Sequence, residues 1–232
     1  PLPTNNGEKC SGLRRRLAFS QSPQCRTPVR DVLDALPVTF HNQTMASYPD
    51  NGGPIRRAIP DGDNMVRLVC DACGYIEYDN PKVVVGVVAL WRDQILLCKR
   101  AIEPRIGYWT LPAGYLELNE STEDGAKREA REEAGAELRL NGLLAVYNIP
   151  RISQVQIIYR AELLSEDIAA GEESEEVGLF RAEDIPWQDL AFPSVRWALR
   201  QYAEVMDQAD FPPFTNPDGE TGDFKPDAVM GV

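Results

Sequence analysis

Residues 114–136 read GYLELNESTEDGAKREAREEAGA. The stretch gathers acid onto one side of an expected helix. Ser121 with Asp124 three residues on is a helix-starting capping pair, and Gly135 is a glycine stop just past the last turn. Between them Glu129, Glu132 and Glu133 sit at i, i+3 and i+4, so they share one helix face. Like charges at that spacing repel by about 0.2–0.5 kcal/mol per pair on an exposed helix. A hard divalent cation offsets that repulsion, because Mg²⁺ takes oxygen ligands and keeps water and phosphate in its shell. Arg128, four residues before Glu132, is spaced to hold that carboxylate. Glu120, ahead of the helix, either pairs with Arg128 or reaches the metal through water.

Acidic runs more often mean a solvated helix face. Two details argue against that here. The lead-in YWTLPAG (108–114) is apolar and glycine-bearing, as for a buried strand entering a tight loop. Gly125 sits inside the helix at a cost of about 1 kcal/mol against alanine, which asks for close backbone approach at that point.

The spacing resembles the signature of the Nudix hydrolases: G, five residues, E, seven residues, R-E, a small or aliphatic residue, any residue, E-E, any residue, G, and a last small or aliphatic residue. Gly114, Glu120, Arg128, Glu129, Glu132, Glu133 and Gly135 fill the fixed positions, and Ala130 and Ala136 the two small ones. Segments NPKVVVGVVAL (80–90), LLCKRAIEPRIGYWTLPAGYLE (96–117), QVQIIYRAEL (154–163) and EEVGLF (175–180) are similar to a bacterial and plastid group of that family. That group is associated with FAD and ADP-ribose pyrophosphatase activity, and the resemblance covers roughly residues 55–204.

The resemblance implies an α/β (α+β) fold: a Nudix α/β/α sandwich with a mixed sheet between helices, preceded by a small zinc-ribbon-like hairpin. It implies metal-dependent hydrolysis of a nucleoside diphosphate linked to another moiety, with FAD or ADP-ribose cleaved to AMP plus the phosphorylated remainder. Glu129, Glu132, Glu133 and the Gly114 carbonyl are then expected to hold Mg²⁺ or Mn²⁺, with Arg128 as the orienting residue. The general base of such enzymes lies in this box or in a later loop, and GEESEEVGLF (171–180) offers Glu173 and Glu176. Arg105, Tyr147 and Arg151 are the candidate substrate contacts. Arg160, and the rings of Tyr159, Trp187 and Phe192, are further options for phosphate, ribose or base. The alternatives are an NADH or damaged-nucleotide pyrophosphatase, or a non-enzymatic nucleotide-binding Nudix module. A SQPWPFP-type motif, which marks NADH pyrophosphatases, is absent, since Val155 follows Ser153-Gln154.

Composition narrows the chemistry further. The 232 residues carry a net charge of −12, which disfavours nucleic acid and anionic membranes as partners. A small dinucleotide substrate remains open, because metal ions neutralise its phosphates. His41 is the single histidine and lies in the polar N-terminal region. A Ser-His-Asp or Cys-His machine in the core is therefore excluded, and carboxylates must do any acid–base work. Cys10, Cys25, Cys70, Cys73 and Cys98 are an odd number without disulfide-dense spacing, so a reduced, cytoplasmic setting is expected. An organelle is the alternative, if the arginine-rich residues 1–44 are a transit peptide. No apolar run approaches the roughly 18 residues of a membrane span. A homodimer is the expected assembly.

Along the chain, residues 1–54 read as a mostly disordered extension, with a helical turn at Asp31–Leu36. Residues 55–81 form the degenerate zinc-ribbon-like segment. Cys70-Asp-Ala-Cys73-Gly74 is half a zinc knuckle, whereas a tetrahedral site needs four ligands. A metal-free remnant is the favoured expectation, with Zn²⁺ at Cys70 and Cys73 as the minority alternative. Residues 82–206 form the hydrolase domain. Its strands are expected at Lys82–Leu90, Gln94–Cys98, Tyr108–Leu111, Leu143–Ile149, Val155–Leu163 and Glu176–Arg181, and its closing helix at Ser194–Met206. Residues 207–232 read as a mobile Pro/Gly-rich tail.

Overall fold

The computed structural model describes residues 54–223; the extension, its helical turn and the last nine residues lie outside them. The chain divides into two compact units, Pro1–Asp79 and Asn80–Val232.

The first unit contributes three short antiparallel strands, β1 (Pro54–Ala58), β2 (Arg67–Cys70) and β3 (Ile76–Glu77), in the order β1-β2-β3. Its loops are tied by charge. The Asp63 carboxylate accepts from the Asn64 and Met65 backbone N–H groups and pairs with Arg67 at 3.0 Å. Asp71 pairs with Arg56 on the neighbouring strand. The Cys70–Gly74 turn closes with the Gly74 N–H on the Cys70 carbonyl at 2.8 Å, and Gly74 supplies the positive φ of 71° that this turn requires. Cys70 is buried while Cys73 is exposed. Among the described residues no three His, Cys, Asp or Glu side chains converge as a metal shell.

The second unit is a mixed sheet between two helices. Strands β4 (Lys82–Trp91), β5 (Gln94–Arg100), β6 (Trp109–Thr110), β7 (Ala113–Tyr115), β8 (Leu138–Ile149), β9 (Gln154–Leu163) and β10 (Ser174–Phe180) form it, in the order β10-β5-β4-β9-β8. β4 and β9 run parallel and the other neighbours antiparallel. The β4–β5 hairpin is paired only near its turn. Towards its open end the two strands part: β6 pairs with β5, and β7 pairs with β4. That opening delivers Gly114 beside Val85. Gly86 is needed there, because a Cβ would run into Pro112 and Ala113.

Alternation along β5 sorts the two faces. Leu96 and Cys98 pack with helix α1 (Thr122–Ala134), while Ile95 and Leu97 pack with helix α2 (Pro193–Val205). On α1 the inward positions are Ala126, Ala130 and Ala134, all without exposed surface; small side chains let the helix lie close on the sheet. On α2 they are Val195, Ala198 and Leu199.

β8 begins at Leu138, five residues before the expected start. The strand runs on through Asn141-Gly142, where Gly142 takes a φ of 122° at a bulge between Leu140 and Gly142. The segment after Asp207, expected to be mobile, is laid along β8 as far as Asp223. Phe214 exchanges backbone hydrogen bonds of 2.9 Å with Leu144 and Val146, and the Asn216 side chain bonds both backbone groups of Asn148 at 2.8 Å. Pro and Gly content hid this, because the partner is the unpaired edge of β8.

Candidate active site

α1 starts as its sequence requires. Ser121 accepts from the Asp124 N–H at 3.1 Å and donates to the Asp124 carboxylate at 2.7 Å. It ends on Gly135, at φ 60°, whose N–H reaches the Arg131 carbonyl. Gly125 lies where a Cβ would come within 2.9 Å of Glu120 Oε1 and 3.0 Å of Leu116 and Val85. The mid-helix glycine therefore buys close contact between α1, the preceding loop and the sheet.

Arg128 is the hub of the acidic face. Its Nε and Nη2 engage both oxygens of Glu120 at 3.1 and 2.8 Å. Nη1 donates to Glu129 and Glu132 at 2.8 Å each, and Nη2 also reaches the Tyr115 carbonyl at 3.0 Å. Glu120 thus pairs with the arginine rather than standing alone, and Arg128 holds its carboxyl below the usual range.

Glu129 and Glu133 are buried, one turn apart, whereas Glu132 is exposed. The Glu129 carboxylate lies directly on Gly114, in the space any Cβ there would fill. Glu133 accepts from the Ala113 N–H at 3.0 Å. Burial, followed by the charges of Glu129 and Glu173, pushes the Glu133 carboxyl up to about 8, against the opposing effect of the Ala113 bond and Arg100. Burial also raises Glu129, with Glu132 and Glu173 adding to it and Arg128 opposing. Two partly desolvated carboxylates set against Gly114 are hard oxygen donors of the kind a divalent cation takes. Glu129 accepts from Arg128 and Glu133 from the Ala113 N–H, so each carboxylate is oriented by a donor.

Glu173 joins this cluster and Glu176 does not. Ala169 and Gly171 donate to the Ala134 and Glu133 carbonyls at 2.9 and 3.1 Å, pinning the loop before β10 to the C-terminal end of α1. Glu173 follows, its own carbonyl accepting from the Ala101 N–H at 2.8 Å. Glu176 instead lies opposite Lys99, 3.8 Å from its ammonium. Lys99 belongs to the odd positions of β5 that face α2, so its cross-strand partner is on the side away from α1.

The expected substrate contacts scatter. Tyr147 is fully buried, donates to Gln201 and meets Trp197 edge-on at 5.4 Å; the inward alternation of β8 makes it a core residue, not a substrate platform. Arg151 pairs with Asp223 at 2.8 Å. Arg160 is committed to the Val205 and Gln208 carbonyls at the end of α2, and the Tyr159 hydroxyl to Thr122 at 2.7 Å. Arg105, at φ 71°, lies 3.8 Å over the Tyr108 ring and donates to the Ala191 carbonyl at 3.3 Å.

Arg100 was not singled out from the sequence, yet it feels both Glu133 and Glu173 and stands 5.2 Å over the Phe192 ring. The signal was available: Arg100 continues the even set of Leu96 and Cys98 on the α1 face.

A family model described as "NUDIX domain" matches residues 80–202, and one described as "Nudix N-terminal" matches residues 51–79. The chain belongs to the Nudix hydrolase family. A solved NUDIX hydrolase from Nitrosomonas europaea is 44% identical, with a TM-score of 0.68 over 74% of this chain and 99% of that one. The ADP-ribose pyrophosphatase of Methanocaldococcus jannaschii is 31% identical over 51% of this Nudix chain and 71% of its own length. The NAD-capped RNA hydrolase NudC of Stutzerimonas stutzeri is 29% identical over 58% of this chain. The chain spans about half of that NudC, 49% of its length. Among the described residues no helix is long and apolar enough to cross a membrane.

Proposed function

We propose that this enzyme hydrolyses the diphosphate of ADP-ribose or FAD, giving AMP and the phosphorylated remainder, with Mg²⁺ or Mn²⁺ held by Glu129, Glu133, the Gly114 carbonyl and the more exposed Glu132. The observation that carries the reading is the buried Glu129–Glu133 pair set against Gly114, where a cation would compensate two desolvated carboxylates. A bound divalent ion supplies Lewis-acid polarisation of the phosphoryl oxygens and a more acidic water. Arg128 fixes the rotamers of Glu129 and Glu132 while its own charge is neutralised by Glu120. Glu173 takes the proton of the attacking water as one P–O bond forms and the bridging P–O bond breaks. Arg100 keeps Glu133 and Glu173 from accumulating unopposed charge. ADP-ribose is favoured by the M. jannaschii relative; FAD rests on the sequence resemblance.

A screen of ADP-ribose, FAD, NADH and a nucleotide sugar with each metal, reading AMP release by chromatography, tests the proposal. Rapid cleavage of ADP-ribose or FAD that EDTA abolishes is the expected result. Preference for NADH would favour an NADH pyrophosphatase, and no turnover at all would favour a nucleotide-binding module.

A further inference from the structure

At its catalytic end the sheet presents a second surface, on the face turned away from α1. Val83 and Val85 pack on the α1 side of β4 and Val88 on the α2 side, so Lys82 and Val84 point to the α2 side. Register sets their neighbours. Val84 lies opposite Tyr115 of β7 on one flank and opposite Gln156 of β9 on the other, and Lys82 lies opposite Gln154. Paired residues of neighbouring strands point to one face. Tyr115, Val84 and Gln156 therefore form a row, with Lys82 and Gln154 beside it. The α2 core continues farther along the same face, at Val88 and Ile158. At the catalytic end Tyr115 is 55% exposed, and Val84, Gln154 and Gln156 are half-buried.

The row carries a ring, a hydrogen-bonding pair and a tie to the acidic centre. The Lys82 ammonium lies 5.2 Å from the centre of the Tyr115 ring. The Lys82 backbone N–H donates to the Ser153 carbonyl at 2.9 Å, which holds this strand end against the β8–β9 turn. The Gln156 amide donates to the Gln154 side-chain oxygen at 2.7 Å. Two amides bonded in this way present an unused donor and an unused acceptor side by side, whichever of them donates. Among the described residues, neither the Gln154 amino group nor the Gln156 side-chain oxygen has a hydrogen-bond partner. Tyr115 directly follows Gly114, and its own carbonyl accepts from Arg128 Nη2 at 3.0 Å.

We infer that this row is the nucleobase site of the substrate, with Tyr115 as the stacking ring, Val84 as the floor and the Gln154–Gln156 pair as the reader of an adenine edge. Adenine offers an exocyclic amine beside a ring-nitrogen acceptor, the complement of the amide pair. Neighbouring strands lie about 4.8 Å apart, so about 10 Å separates the Tyr115 and Gln156 backbones across Val84, room for one planar base. A stacking ring holds any base, so selection falls to the two amides. The inference rests on the diphosphatase reading and deepens it: the chain takes dinucleotides that carry adenine, and discriminates at the amine of that base.

The first arm of the test needs no turnover. Calorimetry on the full chain compares AMP with purine riboside 5′-monophosphate, which has the same ring system without the amine. AMP is expected to bind about tenfold more tightly, the scale of a bidentate amide–adenine contact. That preference should vanish in Q154L and in Q156L. Y115L should instead weaken both ligands alike and keep the preference, because stacking tolerates any base. Equal affinity of the wild type for the two ligands, binding of neither, or a preference retained in both glutamine variants overturns the site. The second arm follows cleavage of ADP-ribose. Q156L is expected to raise KM by about tenfold with kcat retained, the signature of lost uniform binding; an unchanged KM overturns the site as well. No cleavage of ADP-ribose or FAD by the wild type, with its preference for AMP intact, would sink the diphosphatase reading and leave the base site standing.

Discussion

At the scale of single residues, the account depends on two carboxylates and the glycine beneath them. Glu133 has its carboxyl raised from 4.5 to about 8 by burial. A folded-state value above the unfolded one means that the protonated form is the one the fold favours. Its contribution to stability is therefore full below about pH 4.5 and is lost as pH rises through about 8. In EDTA, Glu133→Gln should melt level with the wild type near pH 5 and above it near pH 9; parallel melting temperatures would mean that ionising Glu133 costs the fold nothing. Gly114→Ala tests the neighbouring contact. The new Cβ occupies the space of the Glu129 carboxylate, which is the free end of a flexible side chain and can swing aside. The variant should fold normally and lose about 100-fold in kcat, the scale of an ångström-sized misplacement. Unchanged turnover would remove the Gly114–Glu129 contact from the mechanism.

At the scale of elements, the α1 capping pair and the glycine stop follow from local pattern, and the sequence carried them residue by residue. Glu129 and Glu133 were legible for the same reason, since helical spacing fixes which side chains share a face. What failed depended on contacts remote in sequence. Tyr147 could be sorted into the core only once β8 had a partner and a bulge at Gly142. Glu173 and Glu176 differ by three positions, but a register shift between Ser174 and Glu176 and the anchoring of the preceding loop to α1 separate their surroundings. Gly171 is the joint in that anchoring, because a Cβ there would strike the Glu132 backbone carbonyl. Gly171→Ala should destabilise by about 1–3 kcal/mol and reduce kcat by moving Glu173. Wild-type stability and turnover would show that the loop can shift without consequence. Ser121→Ala removes the N-cap and should cost about 1 kcal/mol, read as a lower urea midpoint at unchanged slope.

At the scale of the whole molecule, the two units have reached order by different routes. The hydrolase unit encloses apolar clusters on both faces of its sheet. The three-stranded unit matches a Nudix N-terminal family model, yet its described residues offer Cys70 and Cys73 as half of a four-ligand zinc site, with ion pairs at Asp63–Arg67 and Arg56–Asp71 tying its loops. The full chain, purified from zinc-replete cells, should contain well under one zinc per chain by elemental analysis. Stoichiometric zinc that resists dialysis would show that ligands from elsewhere complete the site. The central claim, a divalent-ion centre on Glu129 and Glu133 that cleaves a nucleoside diphosphate, meets its most direct test in one titration: AMP release from ADP-ribose or FAD against Mg²⁺ or Mn²⁺ concentration, for wild type and Glu133→Gln. The account predicts saturable metal dependence in the wild type and a fall of about 100-fold or more in the folded variant, at least the loss expected for disturbing a metal shell. Equal rates in the two proteins at every metal concentration would contradict it.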